Sequence, residues 1–132
     1  MHSRFKGSCL CGSVRFTVSG PLRPIIACHC SQCRKQTGNY VTATSADLGD
    51  FHLEPSETLV WFASSADAER GFCARCGSHL FWKQHGGTVM SIHAGAIDGP
   101  TGLAIEKHIF VADKPDWYEI TDGKPQEQQW DG

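Results

Sequence analysis

The sequence predicts a mainly β protein built of small antiparallel sheets with one short helix. Three observations carry that expectation. Several short segments alternate polar and apolar residues, or concentrate β-branched and aromatic ones. Glycine- and proline-containing turn signals separate them. A single stretch has the start and stop residues of a helix.

The elements follow in chain order. In "SVRFTVSG", residues 13–20, Val14, Phe16 and Val18 share one face, and Ser13, Arg15 and Thr17 share the other. That is the pattern of a half-buried strand. "IIA", residues 25–27, reads as a further strand. Ser31 can cap a helix, "QCRKQT" can form a turn or two, and Gly38 can end it. "YVTAT" (40–44), "TLVWFAS" (58–64), "SHLFWKQ" (78–84), "TVMSIHAG" (88–95) and "AIEKHIFV" (104–111) read as strands. Gly20-Pro21, Gly86-Gly87 and Asp98-Gly99-Pro100 mark turns, and Asp98 is read there as structural. The polar tail "TDGKPQEQQWDG" leads to the expectation that 119–132 is partly frayed, with Trp130 either packed back on the domain or a terminal remnant.

A length of 132 residues suits one domain, 1–132, with a single modest core. The net charge of −2 and a pI near 6.4 argue against a dedicated nucleic-acid binder. No apolar run approaches the roughly 20 residues of a membrane span. "MHSRFKGSCLCG" has no apolar run that could act as a secretory signal. The expected location is therefore cytoplasmic, where thiols stay reduced. The sequence fixes no oligomeric state.

Seven cysteines are many for this length, and an odd number cannot all pair within one chain. They cluster as "CLC" at 9–11, "CHCSQC" at 28–33 and "CARC" at 73–76. In a reducing compartment such clusters bind metal or do redox work more often than they form a disulfide scaffold.

"CLCG" and "CARCG" share a form, two nearby cysteines followed by glycine. Cys9 and Cys11 are expected to share an ion where the strand ends in a turn or bulge. Gly12 and Gly77 permit it because glycine tolerates φ > 0. Cys9, Cys11, Cys73 and Cys76 would make a closed four-thiolate set, which is structural because no coordination position is left for chemistry. The alternative is that these are buried, unliganded cysteines. Spacing also leaves open a four-sulfur site that draws on Cys28 and Cys30.

Cys28, Cys30 and Cys33 remain, at the end of the "IIA" strand and the start of the helix. Three protein ligands plus an open position is the pattern of a catalytic zinc site. A histidine could fill the gap: His29 lies nearest but between two ligands, while His52, His79 and His93 qualify only through folding. A zinc ion with three thiolates is a poor Lewis acid, better suited to holding an incoming thiol as thiolate. Such a thiolate can attack a small electrophile such as an aldehyde. Arg34 and Lys35 could offset the negative charge and attract an anionic thiol, or simply form a solvated helix face.

"GSCLCGSVRF", "CHCSQCRKQTG", "FCARCGSHLFW" and "HIFVADKPDWYEI" together resemble the family of glutathione-dependent formaldehyde-activating enzymes and centromere protein V, over about residues 3–120. The resemblance implies a β-tent fold and two zinc ions per chain. One would be structural, on Cys9, Cys11, Cys73 and Cys76. The other would be labile, on Cys28, Cys30 and Cys33. It implies carbon–sulfur lyase activity that joins glutathione and formaldehyde.

The leading expectation is therefore a zinc-dependent carbon–sulfur lyase-like enzyme that binds a small thiol, with no nucleic-acid or membrane partner. A zinc-stabilised binding module without chemistry is the alternative. Redox catalysis of the methionine sulfoxide reductase type would place a catalytic cysteine late in the chain, and no cysteine lies beyond Cys76. Trp117 and Tyr118 could wall the site or pack in the core. There is no Ser–His–Asp arrangement and no phosphate loop.

Overall fold

A computed structural model describes residues 5–130. Its strands are β1 (Phe5–Ser8), β2 (Arg15–Val18), β3 (Ile25–Cys28), β4 (Val41–Asp47), β5 (Phe51–Leu53), β6 (Leu59–Ala63), β7 (Ala68–Cys73), β8 (His79–Gln84), β9 (Val89–His93), β10 (Ile97–Asp98) and β11 (Ile105–Ile109). The helix, α1, spans Ser31–Thr37. The expected mainly β architecture is present. The chain divides into two compact units: 1–23 with 44–101, and 24–43 with 102–132.

The first unit holds a four-stranded antiparallel sheet in the order β10-β1-β2-β5 and an antiparallel run β9-β8-β7-β6. Its core follows the alternation in the sequence. Val14, Phe16 and Val18 are buried with Cys9, Cys73, Leu80, Phe81, Met90 and Ile92. Phe16 packs edge-on to Phe81 at 5.2 Å. Gly7 is required opposite it. A Cβ at residue 7 would lie 2.0 Å from the Phe16 ring, so the ring would have to shift to admit one. Asp98 accepts hydrogen bonds from Ser8 Oγ at 3.0 Å and so ties β10 to β1, the structural role read from its turn.

In the second unit β3 lies between β11 and the start of β4. The β3–β4 pair is antiparallel, and β3 and β11 run parallel. Parallel neighbours need a long crossover, and the many residues between β3 and β11 supply it. Helix α1 ends as expected at Gly38, which takes φ 91°. Its start differs: Cys30, not Ser31, is the cap, and its Sγ accepts the Cys33 N–H at 3.3 Å.

The described residues of the tail lie along β11. His108 N–H bonds to Pro125 O at 2.9 Å, and Glu127 N–H bonds to His108 O at 2.8 Å. Lys107 forms a 2.8 Å ion pair with Glu127, and its ammonium lies 4.8 Å from the centroid of the Trp130 ring. Trp130 thus packs back. A polar tail carries no hydrophobic signal of docking, but it can pair its backbone with a strand edge.

Candidate metal centres

In the first unit, two loops of matching design present four sulfurs. Cys9 O accepts the Gly12 N–H at 3.0 Å, and Cys73 O accepts the Gly77 N–H at 2.7 Å. Gly12 and Gly77 have φ 81° and 80°, so each loop turns where the sequence placed a glycine. The sulfurs of Cys9, Cys11, Cys73 and Cys76 all lie within 4.8 Å of one another. A tetrahedral zinc with sulfurs at about 2.3 Å sets them about 3.8 Å apart. Cys9 and Cys11 are 3.6 Å apart, and Cys11 and Cys73 are 3.8 Å apart, so the set fits a metal ion.

Hydroxyl groups surround these sulfurs. Ser13 Oγ lies 3.1 Å from Cys11 and 3.4 Å from Cys73, and Thr58 Oγ1 lies 3.4 Å from Cys73. Ser78 Oγ lies 3.2 Å from Cys76 and accepts the Leu10 N–H at 3.0 Å. Burial opposes ionisation of Cys73, yet the Ser13 and Thr58 hydroxyls carry its thiol down to about 5. The Ser78 hydroxyl takes Cys76 down to about 7. Metal ligands must be deprotonated, and these donors favour that state. The sequence reading took the glycines of "CLCGS" and "CARCGS" and missed the serines. The twice-repeated Cys-Gly-Ser was the signal.

In the second unit, Cys28 ends β3, Cys30 caps α1 and Cys33 is buried one turn inside it. Extended backbone puts residues 28 and 30 on one side, and the first helical turn returns Cys33 to them. Their sulfurs lie within 4.8 Å of one another. Hydrogen bonding with Cys30, then with Cys33, and then burial raise the Cys28 thiol far above its ordinary range. Crowded sulfurs without a cation resist ionisation, and a bound cation reverses that balance. Among the described residues no histidine or carboxylate joins either sulfur group. No cysteine forms a disulfide.

The candidate fourth ligands lie elsewhere. His29 Nε2 lies 2.9 Å from His108 Nδ1, and its ring packs against Tyr40 with centroids 4.7 Å apart. Burial, then the charges of His108 and Lys114, push its pKa down to about 4. His79 and His93 stack on each other at 6.4 Å in the first unit, and His52 is exposed on β5. Arg34 follows the cap residue Cys30 by four residues, with its N–H on Cys30 O at 2.9 Å, one helical turn away. Its Nε is buried without a hydrogen-bond partner, whereas Lys35 is exposed. Trp117 is 66% exposed and is not core. Tyr118 packs tilted against Tyr40 at 5.4 Å and stacks on His29 at 6.1 Å.

The fold and these two sulfur groups define a small β protein equipped to hold metal through cysteine. The model of the family described as glutathione-dependent formaldehyde-activating enzyme matches residues 4–113, and the chain belongs to that family. A Halomonas elongata protein named for glutathione-dependent formaldehyde activation is 34% identical over 129 residues, covering 87% of this chain and 80% of its own. A Schizosaccharomyces pombe protein named as an uncharacterized lyase is 27% identical, covering 88% and 85%. A crystal structure of a Rhodobacter sphaeroides protein shares the fold, with a TM-score of 0.62 and 20% identity over 92% of this chain and 98% of its own.

Proposed function

We propose that the chain is a zinc-dependent carbon–sulfur lyase-like enzyme that joins a small thiol, such as glutathione, to a small aldehyde, such as formaldehyde. The observation that carries this reading is the Cys28–Cys30–Cys33 trio, convergent within 4.8 Å and joined by no fourth ligand atom among the described residues. Zinc held there would supply one function, keeping an incoming thiol as its thiolate. In the reaction the thiol S–H bond breaks, a carbon–sulfur bond forms, and the proton ends on the former aldehyde oxygen. Arg34, one turn from Cys30, offers positive charge to an anionic thiol, and Lys35 adds to the local field. Cys9, Cys11, Cys73 and Cys76 hold a second zinc that is structural, since four thiolates complete its coordination.

The test is the rate of hydroxymethyl-adduct formation from glutathione and formaldehyde, followed by exchange spectroscopy. Wild-type protein accelerates the exchange, and Cys30→Ser does not, while it keeps its fold and one zinc equivalent. Equal rates with and without wild-type protein, across a panel of thiols, would leave the binding-module reading in its place.

A further inference from the structure

A hydrogen-bonded chain of side chains runs from the tail to the residue between two of the trio's cysteines. Asp122 Oδ2 lies 2.8 Å from His108 Nε2, and His108 Nδ1 lies 2.9 Å from His29 Nε2. His29 and His108 are 0% and 1% exposed, and the Asp122 side chain is 37% exposed. The direction of the chain follows from the chemistry of its outer end. The His108 hydrogen bond, with others, lowers the Asp122 pKa, and an ionised carboxylate can only accept. His108 therefore donates from Nε2, which in the neutral ring leaves the lone pair on Nδ1. That lone pair accepts the proton on His29 Nε2. His29 is left in one tautomer, with an unprotonated Nδ1 that has no partner.

Residue 29 is also held through its backbone, because its N–H bonds to Ile109 O at 3.0 Å. Its flanking residues are Cys28 and Cys30. In extended backbone the side chain of residue 29 leaves on the opposite side from those of 28 and 30. A rotation of residue 29 would thus swing both sulfurs. The ring lies against Tyr40, tilted by 32° with centroids 4.7 Å apart, and the hydrogen bond to His108 limits its remaining freedom.

We propose that Asp122 and His108 are positioning residues for the three-cysteine centre, acting through His29 to hold Cys28 and Cys30 in convergence. The inference rests on the reading of that trio as a metal centre. It gives the docked tail a functional task.

Cobalt(II) titration of the metal-free full chain tests both points, because the four-cysteine and three-cysteine steps are read separately. Wild-type protein takes up two equivalents. In Asp122→Ala and His108→Leu the weaker step loses about 10–100-fold in affinity, the usual range for outer-shell partners of metal ligands, and the tighter step is unchanged. Glutamine can both accept from His29 and donate to Asp122, so His108→Gln restores the weaker step to within about threefold. In nitrogen NMR of the wild-type protein, His29 shows a protonated Nε2 and a bare Nδ1, and His108 shows the same pattern. In Asp122→Ala that single-tautomer signature is lost at His108. If buried His108→Leu does not fold, Asp122→Ala carries the comparison. An unchanged weaker step in Asp122→Ala, or a His108→Gln loss as large as that of His108→Leu, overturns the positioning role. Failure of wild-type protein to take the second equivalent overturns the metal-centre reading itself.

Discussion

At the scale of single residues, the two serines that follow the loop glycines set hydroxyl donors against the sulfurs that would hold the proposed structural zinc. Four thiolates around a divalent ion leave two excess negative charges, and donors such as Ser13 and Ser78 spread them. Ser13→Ala is expected to weaken zinc retention by about tenfold or more, measured by competition with a chromophoric chelator. Unchanged retention would show that the hydroxyls only fill space. The two sulfur groups also separate by mutation. Cys73 is fully buried in the first unit's core, so Cys73→Ser removes both a ligand and a packing partner. It is expected to lose the cooperative unfolding transition in calorimetry, whereas Cys30→Ser keeps it. The sequence showed every cysteine ligand candidate and the glycines beside them. It did not show His108 or Asp122, because a strand histidine and a tail aspartate carry no pattern until folding brings them together.

At the scale of elements, the packed pair of β1 and β2 depends on a missing side chain. Gly7 pairs with Phe16 across the strands, and the Phe16 ring occupies the space of the absent Cβ. Gly7→Ala is expected to displace that ring and cost about 1–3 kcal/mol, the usual penalty for overpacking, as read from denaturant unfolding. A cost near zero would mean that the ring has another place to go. Strands with clean alternation, β2 and β9 among them, were legible. β7 was not: "AERGFC" puts charged Glu69 and Arg70 and a glycine inside a strand, and Arg70 is nevertheless buried. β5 and β10 are three and two residues long, too short for any period to register. The helix cap was misread because serine is the favoured residue at that position, while here the preceding cysteine sulfur takes the role.

At the scale of the whole molecule, partly desolvated histidines make stability depend on pH. His93 is pushed down to about 4 by burial first and then by His79 and Arg70, against 6.5 for an ordinary histidine. The unfolded chain therefore takes up a proton that the folded chain refuses as pH falls below about 6.5. Stability is expected to decline between about pH 6.5 and 4, and His93→Asn is expected to flatten that decline in denaturant unfolding. Acid release of metal acts on both proteins alike, so the difference between them isolates His93. Parallel slopes would remove His93 from the account. The tail shows why sequence reading fell short at this scale. Its docking uses backbone hydrogen bonds and one buried histidine, and neither leaves a hydrophobic trace.

In the proposed reading, the three sulfurs leave room for a fourth from outside the chain. The most direct measurement is the sulfur coordination number of the metal in the trio, by X-ray absorption of protein loaded selectively at that centre, before and after glutathione is added. The account gives three sulfurs from Cys28, Cys30 and Cys33, rising by one with the thiol. A fourth protein ligand at the outset, or a sulfur count that glutathione leaves unchanged, would contradict it.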